Sequence, residues 1–179
     1  MRFIFAILTL MISAQALMAQ KLIAKAGHIG FYSYTPVEDI EAHNRQVVSI
    51  LDPSNGSLQF SLLIKSFEFE KKLMQEHFNE NYMESDTYPK ATFSGIISNF
   101  STVDIGTDGS YDVDVTGDLT IHGVTKKINT KGTIHIKNKV VSATAKFIVA
   151  PSDYAISIPS LVEKNIAKEI EVNVNVTYQ

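Results

Sequence analysis

The densest run of chemically capable side chains is His77-Phe78-Asn79-Glu80-Asn81-Tyr82-Met83-Glu84-Ser85-Asp86. His77, Glu80 and Glu84 fall at i, i+3 and i+7, one face of a helix, where an imidazole and two carboxylates could hold a divalent cation. Three ligands on one helix rarely close a metal site without a fourth from elsewhere, and no H-E-x-x-H spacing is present. The favoured reading is a surface helix capping an apolar mouth, with Phe78, Tyr82 and Met83 turned inward. His122 is the second candidate. As a catalytic base it would need a nucleophile, and no G-x-S-x-G arrangement occurs. It is expected to hydrogen-bond the turn that Gly123 permits. His28, His43 and His135 have no evident partners, and Glu38-Asp39-Glu41 reads as a solvated helix face. The chain has no cysteine, which excludes thiol catalysis, thiolate metal sites and iron–sulfur chemistry. No catalytic residue, metal or cofactor is expected.

The elements that would position these groups are mostly strands. Leu119, Ile121, Val113 and Val115 alternate with Asp112, Asp114, Asp118 and Thr120, the period of a half-buried strand. His122-Gly123 supplies a turn, and Ile128, Ile134 and Ile136 resume the alternation against Lys127, Lys131 and Lys137. Strand-like runs fall near 22–34, 44–51, 57–67, 90–100, 110–122, 125–137, 139–150 and 167–178. Eight such runs with short turns suit an antiparallel barrel that closes on itself. Asp52-Pro53-Ser54-Asn55-Gly56 and Thr107-Asp108-Gly109-Ser110 are loop signals with glycine at expected positive-φ positions, and Lys137-Asn138-Lys139 is tight enough for a hairpin. Three pieces read as helical. Pro36–Ala42 would be capped by Thr35. Glu68–Met83 carries Phe69, Leu73, Met74, His77 and Phe78 at helical spacing. Ser160-Leu161-Val162-Glu163 has the form of a capping box. The assembly predicted is an eight-stranded barrel with short helices, one lying over a mouth.

Parity assigns the inward face. The central hairpin offers Tyr111, Val113, Val115, Leu119, Ile121, Ile128, Ile134 and Ile136. The next strand offers Val141, Ala143, Ala145, Phe147 and Val149, and the last Ile170, Val172, Val174, Val176 and Tyr178. Leu58, Phe60, Leu62 and Ile64 form another wall, with Phe93, Ile97, Ile29 and Phe31. These side chains either interdigitate to fill the barrel or leave a lumen for an apolar ligand. Ala91, Gly117, Gly132, Ala143 and Ala145 are small inward residues that would leave volume. Twelve-residue strands at about 3.3 Å per residue run roughly 40 Å, longer than a side-chain-filled barrel needs. The lumen side chains that would touch a ligand are therefore Phe31, Phe60, Leu62, Phe93, Val113, Val115, Leu119, Ile121, Ile134, Ala143, Ala145, Phe147, Val172 and Val174. The mouth or lid would be formed by Leu73, Met74, His77, Phe78, Tyr82 and Met83.

The first residues have the layout of a secretory signal. Met1-Arg2 precedes an apolar run, Phe3–Ile12, and small residues Ser13, Ala14, Ala16 and Ala19 follow. The organisation expected is a signal peptide over 1–19 and one barrel domain over 20–179. Arg2 is the only charged residue of the first 19, so the remainder carries 15 basic and 19 acidic side chains, a net of −4. That balance leaves no electrostatic footprint for nucleic acid.

Two segments, Thr87-Tyr88-Pro89-Lys90-Ala91-Thr92-Phe93 and Leu119-Thr120-Ile121-His122-Gly123-Val124-Thr125, together resemble the YceI-like lipid or polyisoprenoid-binding family. Its members carry YP-x-x-TF followed by L-T-I-H-G-V-T. The resemblance implies a lipocalin-like barrel enclosing a long isoprenoid chain. The family often reads His-Leu-Arg-Ser and then Asp-Phe-Leu near the lid. Here His77 stands first, Phe78 replaces Leu, Asn79 replaces Arg, and the segment is one residue shorter. No role for that Arg carries over. The function expected is a periplasmic or secreted carrier of an isoprenoid or other apolar lipid. The alternative is a ligand-free envelope protein acting through its surface. A barrel edge or the mouth helix could pair with a second copy, so a homodimer is a further expectation.

Overall fold

The computed structural model describes residues 20–179. The signal peptide expected over 1–19 lies outside the described residues. The order is β1 (Leu22–Tyr34), β2 (Asp39–Asp52), β3 (Ser57–Leu63), β4 (Phe67–Phe69), α1 (Lys72–His77), β5 (Lys90–Ile97), β6 (Gly109–Ile121), β7 (Val124–Lys137), β8 (Val140–Val149) and β9 (Ile170–Thr177). Every pairing is antiparallel. The strands run β1-β9-β8-β7-β6-β5-β3-β2, and β1 then pairs with β2. This is a closed eight-stranded barrel, which leaves no free edge. β4 is an extra short strand pairing Ala42–Asn44 of β2.

The central hairpin holds the register expected of it. Thirteen residue pairs run from Gly109↔Ile136 to Ile121↔Val124. His122 (φ 50°) and Gly123 (φ 73°) form its two-residue turn, and Asn138 (φ 52°) and Lys139 (φ 66°) form the next. Both have the double positive φ of the turn whose twist matches a hairpin. Gly56 has positive φ as expected, whereas Gly109 opens β6 in extended form. The turn before it is organised by Asp104, which accepts from the Gly106 amide and the Thr107 hydroxyl.

The three expected helices differ. Pro36–Ala42 is no helix. Thr35 Oγ1 accepts from the amides of Val37 and Glu38, as a cap would. The chain then reverses, and Tyr34↔Asp39 begins the β1–β2 pairing, so cross-strand bonding takes the residues a helix would need. The expected Glu68–Met83 helix starts only at Lys72, because Phe67 and Phe69 are committed to β4. After His77 it widens into a π-helical segment, Phe78–Tyr82, with the Met83 amide bonded to the Phe78 carbonyl at 2.8 Å. Ser160–Glu163 forms turns closed by Val162 N–H on Pro159 O and Asn165 N–H on Val162 O, and the capping box is not made.

Long connections gather at one end of the barrel. They are the excursion from Ile64 to Pro89 and the stretch from Ala150 to Glu169, and the short β1–β2 and His122-Gly123 turns lie beside them. No helix among the described residues is long and apolar enough to cross a membrane.

Candidate functional site: an apolar cavity under a helical lid

Two adjoining hollows occupy the lumen. The larger, about 520 Å³, opens beneath the long connections. The smaller, about 110 Å³, lies further along the barrel. They share Ile29, Leu62, Ala91, Leu119 and Phe147 as walls, so they lie side by side in the lumen. Strand alternation explains the lining, because alternate residues of every wall face the same space.

Each of the fourteen side chains expected to touch a ligand lines one of these hollows, whereas Tyr111, Ile136, Val141 and Val176, also expected inward, belong to the packed core. Phe60, Phe93, Val113, Val115, Ile134, Ala143, Ala145 and Val174 surround the inner chamber. Phe31, Ile121 and Val172 surround the outer one, and Leu62, Leu119 and Phe147 touch both. The reason for the free volume is only partly the expected one. Ala91, Gly132, Ala143 and Ala145 line the inner chamber. Gly117 gives no space: a Cβ there would lie 2.6 Å from Phe93 Cζ and 2.5 Å from Gly95 Cα. The Phe93 ring already covers the facing glycines Gly95 and Gly117.

Leu73, Met74, His77, Phe78, Tyr82 and Met83, the residues expected at the mouth, all line the outer chamber. The lid is bolted at its C-terminal half. The Phe78 ring lies 5.3 Å from Phe31, 5.7 Å from Phe67 and 5.1 Å from Phe69. Such pairs contribute about 0.5–1.5 kcal/mol each beyond area burial. Met83 is buried, whereas Leu73 in the first turn is 61% exposed.

Several cavity residues are absent from the sequence expectation. Ile156, Ile158, Val162, Asn165 and Ile166 from the Ala150–Glu169 connection form a second flap over the mouth. Ile158, Val162 and Ile166 recur every four residues, but the chain there forms only turns, so no strand or helix marks them as a wall. Glu38, expected on a solvated helix face, lines the cavity. Its carboxylate accepts from Asn165 Nδ2 at 3.1 Å and from Lys71 Nζ at 3.2 Å. One side chain thus ties the flap to the lid. The Asn165 hydrogen bond, and then that from Lys71, hold the Glu38 carboxyl below its ordinary range. Ser33 Oγ accepts from the Ala167 amide at 2.8 Å and fastens the flap to β1.

The histidines are placed as follows. His77, Glu80 and Glu84 belong to no metal cluster; among the described residues no group of three or more His, Cys, Asp or Glu is arranged to hold an ion. His122 is buried, and its Nδ1 lies 3.1 Å from the Tyr154 carbonyl, so Nδ1–H donates. Its Nε2 faces Glu84 Oε1 at 3.5 Å, and its ring packs against Tyr88 with centroids 4.5 Å apart. It therefore joins the β6–β7 turn to both mouth connections, a wider role than bonding its own turn. His28, His43 and His135 do have partners: His28 and His43 meet each other at 3.2 Å, and His135 meets Ser110 Oγ at 2.9 Å.

A closed eight-stranded antiparallel barrel with apolar hollows in its lumen has the lipocalin-like architecture. Residues 20–178 match the YceI-like domain family, and the chain belongs to it. Solved structures agree on the fold. A polyisoprenoid-binding domain from Saccharophagus degradans, implicated in plant cell wall breakdown, superposes with a TM-score of 0.77 at 17% identity, covering 90% of this chain and 98% of that one. Burkholderia cenocepacia BcnA gives 0.71 at 18% identity, covering 86% and 96%. A Campylobacter jejuni YceI protein gives 0.58 at 17% identity, covering 77% and 84%. No curated protein matches the sequence.

Proposed function

We propose that this protein is a carrier that holds a long apolar lipid, of polyisoprenoid type, along the barrel axis. The observation that carries the reading is the paired hollow, whose linings are overwhelmingly apolar. The outer chamber lies within the roughly 300–1,000 Å³ range of ligand pockets. The inner chamber approaches the ~150 Å³ apolar cavity that takes a benzene molecule, so it suits the end of a chain. An unbranched or isoprenoid tail would enter by the mouth, fill the outer chamber and pass the Phe147 waist.

The driving force is ample. Each buried methylene gains about 0.8 kcal/mol, and non-covalent affinity saturates near −18 to −21 kcal/mol, so chain ordering consumes much of a long tail's gain. Selectivity then rests on length, width and the few polar groups at the rim. Support also comes from the Saccharophagus domain, which is described as polyisoprenoid-binding. The apolar run and small residues of 1–19 support export, and we place the carrier outside the cytoplasm; fractionation and the N-terminal residue of the mature chain test that step.

Native mass spectrometry of the purified protein, followed by organic extraction, tests the function. One lipid per barrel is the expected result. An empty barrel that also refuses added prenyl lipids would refute the carrier and favour a protein acting through its surface.

A further inference from the structure

On the outer wall of the barrel, away from the lipid cavity, β1 and β2 bring two imidazoles together. Strand alternation puts His28, Gly30 and Tyr32 on the outward face of β1 and Glu41 and His43 on that of β2. The register sets Gly30 opposite His43 and Tyr32 opposite Glu41. His43 therefore crosses the bare backbone of Gly30 and lies between His28 and Tyr32. His28 Nε2 and His43 Nδ1 are 3.2 Å apart, with ring centroids 5.2 Å apart and planes inclined by 31°. Gly30 is needed for this approach: a Cβ there would sit 3.1 Å from His43 Nδ1 and 3.0 Å from the Tyr32 hydroxyl.

The separation matches two nitrogens on one ion. Bonds of 2.0–2.1 Å to a shared metal put the nitrogens about 3.3 Å apart at the tetrahedral angle and about 2.9 Å apart at a right angle. The protons are disposed accordingly. Glu41 Oε2 lies 3.9 Å from His43 Nε2. At that distance the carboxylate makes no hydrogen bond, but its charge favours the Nε2–H tautomer, which leaves the Nδ1 lone pair facing His28.

We propose that His28 and His43 form a transition-metal site on the outer wall, taking Cu²⁺ or Zn²⁺ with water completing the coordination. Imidazole nitrogen suits both ions, and Cu²⁺ binds the more tightly. The site is separate from the lipid cavity and stands or falls independently of the carrier reading.

Titrating the purified protein, free of any polyhistidine tag, with CuCl₂ and with ZnCl₂ tests it. The expected result is one Cu²⁺ per chain, weaker binding of Zn²⁺, and a Cu²⁺ paramagnetic spectrum with coupling to two imidazole nitrogens. His28→Gln and His43→Gln should each weaken Cu²⁺ at least tenfold while circular dichroism stays β-type. Gly30→Ala should do the same by displacing the His43 ring. His135→Gln, on the opposite side of the sheet order and bonded to Ser110, should leave the isotherm unchanged. Absence of Cu²⁺ binding, an isotherm that survives His28→Gln, or one that depends equally on His135 would overturn the site.

Discussion

The two ends of this barrel are built by different rules. At the far end the connections are short or folded inward. The β2–β3 and β7–β8 turns are tight, and the β5–β6 loop lays Phe100, Val103 and Ile105 onto the core. At the mouth the chain leaves the sheet for long excursions, and the apolar side chains of the lid and flap stand around a hollow of about 520 Å³. The same strands serve both ends, so the hollow follows from what the connections do. A connection that packs down completes a core; one that arches over leaves room for a guest. Binding residues commonly sit on loops carried by a rigid scaffold, and here the division falls along the barrel axis.

The sharpest way to break this comparison is to attack the wall. Gly117→Val would push a branched side chain into Gly95 Cα, Phe93 Cζ and Ser94 O, all within 2.6 Å of the new Cβ. Backbone atoms cannot yield as a side-chain tip can. We expect a loss of about 3 kcal/mol or more in urea unfolding. Leu161→Gln at the mouth, where the side chain is 94% exposed, should stay within about 0.5 kcal/mol. Comparable losses at both positions would mean that the mouth carries the fold as much as the wall does.

The ends should also fail at opposite extremes of pH. Tyr178, at the far end, is buried and bonds Ser49 Oγ at 2.9 Å. Burial pushes its phenol up from 10.0 to about 12, with the Ser49 bond acting the other way. The folded state thus favours the neutral phenol. Its contribution is complete below pH 10 and lost as pH rises toward 12. A shift of that size corresponds to about 2–3 kcal/mol. Urea midpoints should fall between pH 9 and 12, and Tyr178→Phe should flatten most of that fall. Since burial also raises Tyr154, an unchanged alkaline fall in Tyr178→Phe would move the effect to the mouth.

How legible each end was follows from the same contrast. Wall residues obey a period of two, so Val113, Val115, Ala143, Phe147 and Val174 could be placed in the lumen by counting. The lid side chains could be gathered because Leu73, Met74, His77 and Phe78 fit a helical stripe, although β4 and the π-helical widening depend on pairing with β2 that no local pattern states. Pro36–Ala42 has honest helix-start chemistry at Thr35, yet the hairpin overrides it. Ile156, Ile158, Val162 and Ile166 were missed because the flap folds as turns with no strand or helix to carry them, although the last three recur every four residues. Glu38 was misassigned for a related reason: its partners, Lys71 and Asn165, are distant in sequence, and an acidic cluster by itself looks solvated.

A smaller effect should separate the two chambers. Ala145 lines the inner one and faces Val174 and Gly132 across the sheet. Ala145→Phe should fill that chamber and leave the outer one open. Displacing about two methylenes of a long tail would cost roughly tenfold in affinity. Overpacking would cost about 1–3 kcal/mol of stability, which leaves the barrel folded. A probe short enough to occupy only the outer chamber should bind as before. Equal weakening of long and short probes would show that the two hollows act as one.

The smallest effect concerns the latch at the mouth. Glu38 holds Asn165 of the flap and Lys71 of the lid at once, and the Asn165 bond first, then Lys71, keep its carboxyl below 4.5. A lowered carboxylate contributes at and above its ordinary range, and the contribution disappears as pH falls through the lowered value. The latch is therefore intact at neutral pH and released in acid. The pair is solvent-exposed and screened, so the melting temperature at neutral pH should hardly move in Glu38→Gln. Local opening is the sensitive reading. Amide exchange in residues 72–82 and 159–167 should quicken roughly threefold in the variant, while residues 109–137 of the central hairpin exchange as slowly as before. Added prenyl lipid should slow the lid in both proteins by filling the space beneath it. If lid and flap exchange alike in the wild type and in Glu38→Gln, the aromatic clasp of Phe78 on Phe31, Phe67 and Phe69 is what closes the mouth, and Glu38 merely decorates its rim.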